Sequence, residues 1–303
     1  MSKAKIRVLD PNFVTGFTDA EGSFTVSIYE EADSKIRVMA RFKIGLNAKE
    51  LPLLKHFQEY FGGIGTLTYD KQSNAWIYSV TNVTNLLNII KPHFINYPLL
   101  TQKLAEFKLF MQIVQLLKEG AHLNNVGLQK IVDIKASMNK GVTYYIKSQF
   151  SKINPVERET IETKEISNPM WVAGFVSGEG NFDAGIRKAT ITREARVYLR
   201  FRITQHEREL KLMKLLIKYL GAGRIEFDRR VDASTITIVV GNYSDIIKKI
   251  IPFFDKYPIL GNKQLDYLDW SKIANKIKLG EHKTQKGFEE IKVIESGMNK
   301  SRS

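Results

Sequence analysis

Residues 16–24 read GFTDAEGSF, and residues 174–182 read GFVSGEGNF. The two stretches lie 158 residues apart, and the kinship spreads outward from them. Arg41-Phe42-Lys43-Ile44 returns as Arg200-Phe201-Arg202-Ile203, offset by 159. Gly62-Gly63-Ile64-Gly65 returns as Gly221-Ala222-Gly223-Arg224, again offset by 159. Tyr97-Pro98-Leu99-Leu100-Thr101-Gln102-Lys103 returns as Tyr257-Pro258-Ile259-Leu260-Gly261-Asn262-Lys263, and Met138-Asn139-Lys140 as Met298-Asn299-Lys300, both offset by 160. Order is kept and the offset drifts by two residues, which chance resemblance does not produce. The sequence is one unit written twice: residues 1–141 and 167–303, with a polar linker at 142–166. Two copies in one chain predict a pseudo-twofold pair, which suits a near-palindromic ligand such as duplex DNA.

Composition narrows the chemistry. The 303 residues hold 46 Lys and Arg against 32 Asp and Glu, a net charge of +14, and no Cys. Without Cys there is no disulfide framework, thiolate metal site or Cys nucleophile. His56, His93, His122, His206 and His282 are scattered and form no HExxH pair. No apolar run is long enough for a membrane span. Residues 1–150 carry +6 and residues 151–303 carry +8, so the positive charge belongs to both copies. That distribution predicts a broad polyanion-binding face, nucleic acid first. The opening Met1-Ser2-Lys3-Ala4-Lys5-Ile6-Arg7 has no apolar segment, so no cleavable targeting signal is expected.

Each copy opens with a helix. Asp10-Pro11 and Asn168-Pro169 place an N-cap residue before Pro at the first helical position. Gly16 with Ala20, and Gly174 with Gly178, are small residues at helical spacing. They allow close backbone approach, either between the two opening helices, which recurrence in both copies favours, or against each copy's own sheet. Alternating strands follow. Phe24, Val26 and Ile28 make one face, and Ser23, Thr25, Ser27 and Tyr29 the other. Val38, Ala40, Phe42 and Ile44 oppose Arg37, Met39, Arg41 and Lys43. In the second copy Val197, Leu199, Phe201 and Ile203 oppose Arg196, Tyr198, Arg200 and Arg202. Such alternation predicts half-buried antiparallel sheets whose outer faces suit phosphates and base edges. A shorter hairpin near 65–81 adds Ile77, Ser79 and Thr81 to the first face. Asn181, Asp183, Arg187, Thr235 and Thr237 complete the second. Asn47 to Glu50 reads as a helix start, followed by Leu51, Leu54, Phe57 and Phe61 at helical spacing. The glycines at 62–65 and 221–224 read as turns. The fold class is α+β, two αββαββα(α) units.

Val14-Thr15-Gly16-Phe17-Thr18-Asp19-Ala20-Glu21-Gly22 and Val172-Ala173-Gly174-Phe175-Val176-Ser177-Gly178-Glu179-Gly180 resemble the LAGLIDADG motif. With the complete repeat around them, the chain resembles a single-chain LAGLIDADG homing endonuclease. YPLLTQK, the ITQH at 203–206 and the terminal MNK point to the fungal mitochondrial, intron-encoded branch. The resemblance implies two motif helices packed through Gly16 and Gly174 beneath a saddle of sheets. It implies that Glu21 and Glu179 each bind a divalent metal, usually Mg²⁺, with Mn²⁺ or Ca²⁺ as substitutes, at a scissile phosphate. The carbonyls of Ala20 and Gly178 are further candidate ligands. Asp19 matches Ser177, so it takes a structural role instead. Gln205 is a candidate for positioning water. Lys103 and Lys263 either stabilise the pentacoordinate phosphate or contact the DNA backbone.

The expected function is metal-dependent cutting of both strands of a long asymmetric DNA target by a monomer of mitochondrial origin. A strand of about eight residues rises ~27 Å, so two sheets and a centre would span on the order of 20 base pairs. The alternative is an RNA maturase whose partner is the host intron RNA. A third reading, a DNA-binding regulator with a dead site, would require a lost carboxylate, and both are present.

Overall fold

The computed structural model describes residues 8–31, 35–187, 196–228, 230 and 234–299. The N-terminal reading at residues 1–7, and Lys300 of the terminal repeat, lie outside the described residues. The chain divides into two compact units, Met1–Glu162 and Thr163–Ser303.

In the first unit, helix α1 (Pro11–Glu21) leads directly into β1 (Gly22–Glu30). Then come β2 (Ile36–Asn47), α2 (Leu51–Tyr60), β3 (Thr66–Asp70) and β4 (Ala75–Val80). The four strands form an antiparallel sheet in the order β1-β2-β4-β3. A helical segment from residue 83 ends in α3 (Lys91–Asn96), followed by α4 (Lys103–Lys118), α5 (Asn125–Ala136) and α6 (Tyr144–Gln149). The second unit repeats the plan. It has α7 (Pro169–Glu179), β5 (Gly180–Arg187), β6 (Arg196–His206), α8 (Leu210–Leu220), β7 (Arg224–Phe227) and β8 (Thr235–Val240). Helices α9 (Ile251–Lys256), α10 (Asn262–Lys278) and α11 (Gln285–Ser296) close it. Its sheet order is β5-β6-β8-β7.

The caps act as the sequence predicts. Asp10 accepts from the amides of Asn12 (2.8 Å) and Phe13 (3.3 Å), and Asn168 from that of Met170 (2.8 Å). Asn47 caps a single 3₁₀ turn, Ala48–Glu50, before α2 begins. Each second hairpin is followed by three matched helical stretches, one more than the alternation of the sequence predicts, and α6 adds a fourth in the first unit. The added stretch contains a π-helical turn, Leu86–Ile90 in one unit and Ile246–Ile250 in the other. Pro92 and Pro252 lie two residues past these turns. Proline has no amide hydrogen to give, and the wider turn re-registers the ladder around it.

The apolar strand faces pack on the helices. Phe24 and Phe42 stack at 5.2 Å between ring centroids, and Phe182 and Phe201 repeat that distance. Phe94, Phe107 and Phe110 close the first cluster; Phe254, Tyr267 and Trp270 close the second. Rings of this size dominate core energetics, and both cores use matched positions. Residues 150–162 run along the first unit: Gln102 exchanges two hydrogen bonds with the Ile161 backbone (2.7 and 3.1 Å), and Ser137 donates to the Val156 carbonyl (2.5 Å).

Candidate active site and nucleic-acid face

Each motif helix turns into a strand with no loop between. The Gly22 amide donates to the Thr18 carbonyl, and the Gly180 amide to that of Val176. A Cβ at Gly22 would lie 2.5 Å from Thr18 Cγ2 and 2.9 Å from its carbonyl oxygen; at Gly180 it would lie 2.6 Å from the Val176 oxygen. Only glycine permits this corner, and the corner fixes the residue before it. Glu21 is thereby held exposed at the end of α1, and Glu179 half-buried at the end of α7. Gly16 and Gly174 are buried at mid-helix.

Lys103 starts α4 and reaches back to α1. Its ammonium donates to the carbonyls of Thr18 (2.8 Å), Asp19 (2.9 Å) and Ala20 (3.3 Å). Lys263 donates in the same way to the Gly178 carbonyl. A cation at a helix C-terminus offsets the partial negative charge of its last carbonyls. Here it also places an ammonium one residue from each motif carboxylate. Asp19 takes the structural role expected of it. Its buried carboxylate accepts from the amides of Leu100 (2.8 Å) and Thr101 (3.2 Å) and from the Thr101 hydroxyl (2.6 Å). Thr101 Oγ1 in turn accepts from the Lys103 amide (3.1 Å), so α1 fixes the start of α4. The second copy substitutes a neutral device: Ser177 Oγ accepts from the Leu260 amide (3.1 Å).

Gln205 is placed by strand register. Gly180 pairs with Ile203, and β6 runs on past that point, where Gln205 pairs with Ile236 of β8. Gln205 therefore lies on β6 two residues past the partner of Gly180, where β5 begins. It shares the face of Phe201 and Ile203, away from the basic side chains.

The outer faces assemble as strips across the sheets. In the first unit Ser23, Lys43, Ser79 and Thr66 line up, with Thr25 opposite Arg41 and Tyr29 opposite Arg37. Ser27 pairs with Met39, and Ile77 lies between Gly45 and Thr68. Thr81 lies one residue past the end of β4 and is exposed. In the second unit Asn181 pairs with Arg202, Asp183 with Arg200, Gly185 with Tyr198 and Arg187 with Arg196. Thr235 and Thr237 follow on β8. This face borders an open groove of about 670 Å³. The sequence reading missed Thr66, Thr68, Thr204, Arg224 and Glu226, which lie on the same faces. Their strands are short or unpatterned, and pairing alone shows which side they take. Thr204 and Thr237 are linked at 2.9 Å, and Thr66 and Ser79 at 3.3 Å.

The donors at the helix–strand corners suit a hard divalent cation. Each unit offers one motif carboxylate beside backbone carbonyls, and no group of three or more His, Asp or Glu that could hold a metal occurs among the described residues. One or two carboxylates, with water and phosphate oxygens, is the donor set Mg²⁺ accepts, and Mn²⁺ or Ca²⁺ takes the same oxygens. The Ala20 and Gly178 carbonyls already accept from lysines, so one lone pair on each is engaged. The carboxylates are therefore the principal ligands this geometry offers.

A duplicated αββαββα core with a carboxylate at each motif-helix end and a basic sheet face beside it defines a two-repeat nuclease architecture. The LAGLIDADG endonuclease family model matches residues 14–114 and 172–274. The chain belongs to the LAGLIDADG endonuclease family. It is 41% identical to the LAGLIDADG homing endonuclease I-SmaMI bound to cleaved DNA, with a TM-score of 0.93 over 97% of this chain and 98% of that one. It is 37% identical to I-GzeII in complex with its DNA target, with a TM-score of 0.90 over 97% and 100% of the two chains. I-SmaMI has also been solved on an uncleaved target in the presence of calcium ions. A probable intron-encoded endonuclease 3 from Neurospora crassa is 39% identical over 94% of this chain and 54% of its own length. Another Neurospora crassa protein, probable intron-encoded endonuclease 2, is 39% identical over 97% of this chain and 68% of its own length. The chain thus spans between half and just over two thirds of these relatives.

Proposed function

We propose that the protein is a homing endonuclease that hydrolyses one phosphodiester in each strand of a long, asymmetric duplex DNA site. The observation that carries this reading is the coincidence, in both units, of a carboxylate at a helix–strand corner and a basic, polar sheet face leading away from it. The DNA-bound family members named above support it.

Glu21 and Glu179 would hold the divalent cation, Mg²⁺ in the working enzyme. When bound, the cation lowers the pKa of a coordinated water and offsets charge on the phosphate. The chain's own residues do the rest. Lys103 and Lys263 bring positive charge to where the pentacoordinate phosphate develops. Gln205, two residues past the β6 partner of Gly180, orients the attacking water in the second unit. The serines, threonines, tyrosines and arginines of the outer faces bind backbone and base edges, Lys43 and Arg37 among them. Both copies lie in one chain, so a single molecule suffices. No helix among the described residues is long and apolar enough to cross a membrane. The relatives' descriptions as intron-encoded endonucleases favour DNA cleavage over intron RNA binding; the mitochondrial origin rests on the motif resemblance.

The test is selection by cleavage. The protein is incubated with a pool of randomised duplexes, with Mg²⁺ or with EDTA. The reading expects one cleaved motif on the order of 20 base pairs long, cut in both strands only with the cation. Cutting that is independent of sequence, or unchanged in EDTA, would overturn it.

A further inference from the structure

The two outer faces hold their matched arginines differently. In the second unit Arg200 is locked. Its Nε and Nη2 both donate to Asp183 Oδ2, at 3.0 and 2.7 Å. Its guanidinium lies 4.7 Å from the centroid of the Tyr198 ring. Tyr198 can lie across β5 because its partner there is Gly185, where a Cβ would stand 2.6 Å from the Tyr198 hydroxyl. Arg187 covers the same ring at 5.5 Å. Next along the strip, Arg202 donates to Asn181 Oδ1 at 3.3 and 3.0 Å. In the first unit the matched residue, Arg41, faces Thr25 and has no carboxylate across the strand. Its Nη2 reaches Met39 Sδ at 3.6 Å, and its Nε is buried with no hydrogen-bond partner among the described residues.

We infer that Arg200 is a specificity-determining residue that reads a guanine in the half of the target bound by the second unit, with Asp183 and Tyr198 as its positioning residues. The inference rests on the outer sheet face being a DNA surface. Asp183 occupies the Nε–Nη2 edge of the guanidinium. Besides this, Nη2 makes only a long contact to the Tyr198 hydroxyl, at 3.5 Å, weak enough for a base to displace, so the Nη1–Nη2 edge serves as a two-donor fork. That fork matches the paired N7 and O6 acceptors that guanine presents in the major groove. The carboxylate argues against a phosphate as the ligand. Asp183 pairs with Arg200 at 2.7 Å and stands 3.5 Å from Arg202, so it offsets part of the positive charge of both, and phosphate binding is driven by net charge. What the pair keeps is direction. A guanidinium already held by two hydrogen bonds and a ring has little freedom left to lose on binding. Arg41 lacks that support, so the first unit should discriminate less sharply at its matching position.

The experiment is selection by binding, with Ca²⁺ present, of the full-length protein from duplexes with a randomised core of about 24 base pairs. Each position of the selected site is then measured by competition. The wild type should show one guanine in the second half-site preferred by about 5- to 100-fold. Arg200→Lys keeps the charge and loses the fork, so it should cut that preference to about threefold or less at that position alone. Asp183→Asn should also broaden that position while binding to unselected DNA stays equal or tightens, since a negative charge has gone. Two results would overturn the inference. One is a guanine preference that survives Arg200→Lys. The other is an Arg200→Ala variant that weakens all sequences alike and lowers the salt slope by about one, the mark of a phosphate contact. A wild-type protein that enriches no sequence would instead overturn the DNA reading beneath it.

Discussion

His93 lies outside the candidate site, and it separates the two copies. It is buried where Thr15 of the motif helix, Tyr60 and Tyr97 converge. Thr15 Oγ1 donates to the Tyr97 carbonyl (2.9 Å) and stands 3.1 Å from His93 Nε2. The hydroxyl oxygen thus accepts from Nε2–H, which leaves Nδ1 to accept from the Tyr60 hydroxyl at 3.0 Å. Burial pushes the His93 pKa down to about 4, and burial, with Tyr97 and Asp10 nearby, pushes Tyr60 up to about 12. In the unfolded chain His93 titrates near 6.5. The unfolded state therefore binds the proton first as pH falls. The stabilisation is whole above about pH 6.5 and is lost toward pH 4, by roughly 3 kcal/mol in total. Hydrogen exchange resolved by segment should show the first unit losing protection over that window, with a flatter dependence in His93→Gln. The second unit has Phe253 at the matching position and should lack this component. An unchanged pH slope in His93→Gln would remove His93 as the cause.

At the scale of elements, the helix–strand corner is the part whose shape matters most. Gly22→Ala pushes a methyl group to 2.5 Å from Thr18 Cγ2, whereas Gly45→Ala in β2 meets only Ile77 Cγ1, at 3.7 Å. Overpacking of this kind costs about 1–3 kcal/mol. Thermal unfolding should show that loss for Gly22→Ala and a change within about 0.5 kcal/mol for Gly45→Ala. Equal effects would mean the corner is not tightly packed. The same elements show what the sequence could tell. The strands and their faces were legible because Phe24 and Val26 alternate with Ser23 and Thr25, and the second copy repeated the pattern. Glu21 and Glu179 stood out because the repeat aligned them. The Asp183–Arg200 pair was not legible as a pair. The two residues are 17 apart and meet only through antiparallel register, which no local periodicity reveals. Lys103 stands out in the sequence through its match with Lys263. Its reach back to three carbonyls of α1 depends on how α4 packs. The π-helical turns are not legible because their apolar residues fit an ordinary helix equally well, and Pro92 and Pro252 equally fit the first turn of a new helix.

For the whole molecule, duplication is the organising fact. One unit supplies one carboxylate corner, one lysine cap and one basic sheet, and the chain supplies the set twice. The copies have since diverged where symmetry is not needed. Asp19 stands where the second copy has Ser177, Thr25 faces Arg41 where Asp183 faces Arg200, and His93 stands where the second copy has Phe253. An asymmetric target suits a protein whose halves differ in this way. Under the proposed function the carboxylate cannot diverge, because each strand of a duplex would need its own. Strand-resolved cleavage of a selected target by Glu21→Gln and by Glu179→Gln tests this claim most directly, with DNA binding in Ca²⁺ measured alongside. Each variant should bind as the wild type does and lose double-strand cutting by roughly 10²-fold or more, since the cation contributes several kcal/mol at the transition state. Either variant cutting both strands at the wild-type rate would contradict the account.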